Sequence, residues 1–146
     1  MALENWCQVG KLVKHKTSKE EISAIYGVID RCLNDAGLKG LSSDQKYILS
    51  YQAAMDVGMA LIYCYGYKPI KAGHHYVTWQ CLKDLFGEKG RKTILLFEGA
   101  SKKRNKLSYD IAGIASQKEA DEMYQESRDF VSLVKEEINK LNISAL

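Results

Sequence analysis

Proline is nearly missing from this chain: Pro69 is the single one in 146 residues. A chain with so few helix breakers can run long helices, and most of its eleven glycines fall between periodic segments, where short joints belong. Cys-x-x-Cys pairs are missing too. The four cysteines, at 7, 32, 64 and 81, are too dispersed for a metal site or a disulfide framework, and they are expected to be reduced and mostly small core residues. No run reaches the ~18 apolar residues a membrane span requires, and Asn5, Gln8, Lys11 and Lys14 interrupt any hydrophobic leader. A cytoplasmic protein without a membrane partner is the expectation. Gly-x-Ser-x-Gly elbows, glycine-rich phosphate loops, repeats and low-complexity segments are absent as well.

What is present reads as helix. A chain of this length is most simply one folded domain, able to bury ~68–70% of its unfolded surface. Ser18 with Glu21, Ser42 with Gln45 and Ser116 with Glu119 have capping-box spacing, and each opens a segment of helical period. The first segment carries Ile22, Ile25, Ile29 and Leu33 and stops at Gly37. A second runs from Ser42 to about Tyr65, with Ile48, Met55, Met59 and Ile62 on its stripe. Gly66 to Gly73 reads as a loop. A third helix begins near His74-His75 and runs to Gly87, and a fourth begins between Lys89 and Lys92 and ends near Tyr109. The last helix turns Met123, Phe130, Val134 and Ile138 inward. Residues 1–17 read as an irregular arm whose Trp6 packs onto a bundle domain at 18–146. No strand-like alternation competes. Short loops between successive helices imply antiparallel neighbours, so the expected fold is all-α, an up-and-down four-helix bundle with one additional short helix.

Charge is unevenly spread. From Glu88 to Lys106 seven cations stand against two carboxylates, net +5, whereas Lys118 to Glu137 carries net −4. One part of the molecule should attract anions and another repel them. The densest basic stretch is Lys102-Lys103-Arg104-Asn105-Lys106, followed by Leu107, Ser108, Tyr109 and Asp110. No other stretch offers as many groups able to hold a phosphate or act on a hydroxyl. Arg104 and Ser108 share one helix face, whereas Arg104 and Tyr109 lie roughly 140° apart and meet only if the helix end bends or two copies adjoin. The plainer alternative is a solvated basic face with Leu107 in the core. His74 and His75, neighbours pointing ~100° apart on a helix, do not suit one metal ion. No metal or cofactor is expected; the pair sits either beside the cleft or simply at a helix N-terminus. Tyr63, Tyr65, Tyr67 and Tyr76 surround the loop, where rings beside cations can stack bases or simply cover a bundle end.

From Ser18 to about Val134 the order of motifs resembles the HEPN family of compact helical proteins. The resemblance rests on Leu41-Ser42, Gly66-Tyr67, His74-His75, Arg104-Asn105, Tyr109-Asp110, Ser116 and Glu119-Ala120. That family is marked by an Arg, a polar residue, and a His four to six positions on; here Tyr109 stands at the His position. The resemblance implies a helical bundle working as a homodimer, with Arg104 on phosphate and metal-independent RNA cleavage, or an adaptor role beside a nucleotidyltransferase. A phenol with a reference pKa near 10 is a poor base at pH 7. The anion-holding half of the family's site is therefore kept, and its proton-transferring half turns on Tyr109 or on an imidazole from His74 or His75.

Two functions follow as expectations. One is a dimeric binding module for RNA, a nucleotide or a nucleotidyltransferase partner, of the kind found in toxin–antitoxin pairs. The other is a metal-independent endoribonuclease. Candidate catalytic residues are Arg104, Tyr109 and Asp110; candidate RNA- or phosphate-binding residues are Lys102, Lys103, Arg104, Asn105, Lys106, His74 and His75.

Overall fold

The computed structural model describes residues 2–109, 113 and 115–141, with the backbone alone at residue 2 and at 106–109. The order is α1 Ala2–Gln8, β1 Leu12–Lys14, α2 Lys19–Ala36, α3 Ser43–Cys64, β2 Tyr67–Pro69, α4 His74–Phe86, a 3-10 turn Gly87–Gly90, α5 Arg91–Tyr109 and α6 Gln117–Lys140. The chain is mostly helical, with one small two-stranded sheet.

The serine caps set the helix starts. Ser18, Ser42 and Ser116 each accept a backbone N–H three residues on, at 3.1 Å. At Ser116 the box closes reciprocally, Glu119 reaching back to the Ser116 N–H. At Ser18 the glutamate turns away instead: Glu21 Oε1 accepts from Thr17 Oγ1 and contacts His15 Nε2, both at 2.6 Å.

The centre is α3, which packs on α2, α4, α5 and α6. Tyr47, Tyr51, Ala53, Ala54, Met55, Val57, Ala60, Leu61 and Ile62 are all buried, so apolar side chains surround the helix on most sides. Met55 is fully buried, while Met59 is only partly so. Beside α3 lies an aromatic core: Trp79 stacks on Phe97 at 5.2 Å, and Phe130 of α6 meets both.

Three expectations are corrected. Residues 2–14 are not an irregular arm. They form α1 and β1, whose Leu3 and Leu12 belong to the main core, and Trp6 Nε1 donates to Asp84 Oδ2 at 2.7 Å. Strands do occur: Leu12 pairs with Pro69 and Lys14 with Tyr67, antiparallel, inside what reads as a loop. Nor are all successive helices antiparallel. Tyr51 meets His75, Gly58 lies against Thr78 and Leu82, and Leu61 shares a cavity wall with Leu85, so α3 and α4 run the same way.

Parallel neighbours need a crossover, and β2 supplies it by carrying the chain back along α3. The backbone reverses at Gly66 (φ 93°) and again at Gly73 (φ 70°), a left-handed region where a side chain is strained. Helices α2, α3, α5 and α6 alternate in direction, as the contacts Glu21–Tyr63, Tyr51–Ser101 and Lys103–Glu119 indicate, and α4 is the shorter helix added beside α3.

Phe130, 3% exposed, touches Phe86, Trp79 and Phe97 across the α4, α5 and α6 contact. Phe130→Ala is expected to destabilise the fold by ~3–5 kcal/mol, read as a lower urea midpoint at an unchanged slope.

Candidate functional site

Three helices meet at the hydroxyl of Tyr51, which is itself fully buried on α3. Trp79 Nε1 donates to it at 3.0 Å, and His75 Nδ1 lies 2.8 Å away, both from α4. Ser101, from α5, adds a further hydroxyl contact, and Arg104 is close enough that its charge acts on both Tyr51 and His75. Ser101 and Arg104 are three apart and share a helix face, which is how one turn of α5 serves both. Burial drives the Tyr51 phenol upward, against the hydrogen bonds of Ser101 and Trp79 and the charge of Arg104.

The histidines differ in their partners. The carbonyl of Lys71 can only accept, so the 3.1 Å contact from His74 Nδ1 fixes a proton there. For Tyr51 the strongest acceptor in reach of its proton is His75 Nδ1, since the Met55 sulfur lies at 3.9 Å. His75 then keeps its own proton on Nε2, as a donor. Burial above all, then the charges of His74 and Arg104, hold its pKa down to about 4, so the ring is neutral near pH 7. The two rings touch edge to face, centroids 4.4 Å apart. Below them Asp56 accepts from Gln52 Nε2 at 2.8 Å; burial raises its pKa, while Gln52 and the charge of His74 lower it.

Arg104 is the charged member of this cluster. Its Nε is buried and has no hydrogen-bond partner. A buried donor left so costs ~1–3 kcal/mol, which an acceptor would return. Lys103 has a different job: its ammonium is taken by Glu119, and it lies 5.4 Å from the centre of the Tyr47 ring, tying α5 to α6. That pairing is the largest cause of a Glu119 pKa near 2. Lys102 and Asn105 are exposed. The structure thus brings Arg104, His75 and His74 together around Tyr51, and leaves Lys102, Lys103 and Asn105 off that cluster. Asp110 and the side chains of Lys106, Leu107, Ser108 and Tyr109 lie outside the described residues.

Tyr51, Gln52 and Asp56 were not legible as site residues. The available signal was a tyrosine within the most apolar helix, since a buried phenol needs a partner for its hydroxyl. Among the described residues, no helix is long and apolar enough to cross a membrane, and no three His, Cys, Asp or Glu side chains are grouped to hold a metal ion. Comparison of the chain with protein-family models, curated proteins and solved structures finds no match.

The depressed pKa of His75 gives a signed expectation. Unfolded, the ring titrates near 6.5; folded, it titrates near 4, so the unfolded state binds the extra proton between those values. Stability held by the neutral ring is complete above pH 6.5 and lost as pH falls toward 4, by up to about 3 kcal/mol. His75→Gln should flatten that limb of a stability–pH profile, leaving the lower-pH losses from Glu21, Glu119 and Asp121 in place.

Proposed function

We propose that this chain is a HEPN-like helical bundle acting as a dimeric binding module that holds the phosphates of RNA or a nucleotide at the Arg104 cluster. The observation that carries this reading is the buried, unpartnered Nε of Arg104 close to the His75 imidazole, which is neutral near pH 7. A guanidinium keeps its charge and its forked donors at any working pH, which suits phosphate oxygens. A ring that gains a proton only near pH 4 is a weak base at neutral pH, so His75 serves better as donor than as proton acceptor. A nucleotidyltransferase-type partner and a place in a toxin–antitoxin pair belong to the same reading, on the strength of the family resemblance.

One observation favours a second reading, a metal-independent endoribonuclease. His74 holds its Nδ1 proton on the Lys71 carbonyl, which turns its Nε2 away from that contact, and its ring abuts His75. With Arg104 on the phosphate, His74 would take the proton of a 2′-hydroxyl in the role the family gives to the residue at Tyr109.

In a titration of labelled RNA and nucleotides in chelator, Arg104→Ala is expected to raise Kd at least roughly tenfold, as loss of charged hydrogen bonds would. No binding of either ligand by the native chain would overturn the binding reading. Fragments with cyclic phosphate ends, lost in both Arg104→Ala and His74→Ala, would establish the nuclease instead.

A further inference from the structure

Strand pairing gathers two groups of lysines that lie far apart in the sequence. Lys11, Lys14 and Lys16 lie on or beside β1, and Lys68 and Lys71 on or just after β2. The register sets Val13 opposite Lys68 and Lys14 opposite Tyr67, and the Ile70 N–H donates to the Lys11 carbonyl at 3.2 Å. Five lysines therefore flank one short ribbon, all of them exposed, with Lys14 and Lys68 on opposite faces of it. Elsewhere Lys46, Lys83, Lys103 and Lys135 are each paired with a carboxylate, while the exposed Lys19, Lys39, Lys89 and Lys92 stand singly. Among the described residues none of the five ribbon lysines is in an ion pair. Glu21 feels the charge of Lys68, yet its carboxylate is held by Thr17 and His15. Glu4 also acts on Tyr67 of β2, so the lysines outnumber the carboxylates near the ribbon, and an excess of like charge attracts a polyanion.

The ribbon also has a direction. Its Lys71 carbonyl receives the His74 proton, so the basic track ends at the first turn of α4, where His74 and His75 adjoin Arg104. The paired residues, Leu12–Lys14 and Tyr67–Pro69, extend roughly 7 Å at strand spacing, and lysines stand at both ends of the pair. Two residues beyond His74, Tyr76 is 62% exposed and offers a ring face on which a base can stack.

We propose that the β1–β2 ribbon is a second nucleic-acid contact, holding the backbone phosphates of a single-stranded RNA that continues to the Arg104 cluster. The track takes its destination from the reading of Arg104 as phosphate holder, but its existence stands on the lysines alone. It makes the substrate class an extended strand and not a free mononucleotide.

The test compares a labelled dinucleotide with a labelled single-stranded RNA long enough to cover both places, over a salt series. The ribbon variant carries Lys11→Gln, Lys14→Gln, Lys68→Gln and Lys71→Gln, all at exposed positions, with its melting temperature checked against the native chain. It should bind the long RNA roughly tenfold or more weakly, reduce the slope of log affinity against log salt by about 3, and hold the dinucleotide as before. An unchanged long-RNA affinity and slope would overturn the track, even where Arg104→Ala still weakens both ligands. A loss in the ribbon variant with no effect of Arg104→Ala would uphold the track and remove the Arg104 reading. Native protein that ignores RNA but binds phosphatidylserine vesicles through these lysines would overturn the track in favour of a lipid contact.

Discussion

A phenol cannot be placed in the middle of a helical core unless its hydroxyl finds partners there. Tyr51 sits on the one helix that touches each of the other long ones, and its hydroxyl draws Trp79 and His75 from α4 and Ser101 from α5. Satisfying that single oxygen sets where the first turns of α4 lie against the last third of α5. Arg104 is one turn past Ser101, so it is delivered to His75 by the same constraint. Candidate chemistry and core packing are thus one arrangement here, and the cluster has no loop residue at its centre.

The charge pattern takes on a different meaning once the helices are packed. The basic half of α5 and the acidic first half of α6 look like opposing surfaces in the sequence, yet they answer one another. Lys103 joins Glu119, and Lys46 of α3 joins Asp121 at 2.7 Å, beside the Tyr124 ring. Exposed pairs of this kind contribute little to stability, of order 0–1 kcal/mol. Their larger consequence is subtraction, because they remove Lys103 from the cations open to a ligand. Among the described residues, Arg104, Lys102 and the lysines of the ribbon stay outside these pairs, as do Lys19, Lys39, Lys89 and Lys92.

Much of the fold was legible because it is local. Serine caps and 3–4 spacing mark α2, α3 and α6 within a residue or two, and His74 opens α4 where the pattern placed it. The parallel run of α3 and α4 was not legible, because a nine-residue joint looks like a tight return and three-residue strands are too short to alternate. Helix α1 went unseen since Leu3 and Trp6 alone make no stripe. At the site, Arg104 and the histidines stood out as chemistry-bearing residues, but their meeting depends on Tyr51, which reads as ordinary core. Residues 106–110, where Tyr109 and Asp110 would act, are the part the structure leaves undescribed or describes by backbone alone.

The strand pair has a temporal side as well. Leu12 waits for Pro69, so the amino-terminal segment has no partner until both α2 and α3 have been made. Closing so wide a span is entropically slow compared with winding either helix. On a ribosome, β1 would be made well before its partner strand and would settle only after it, leaving Leu12 uncovered in the meantime.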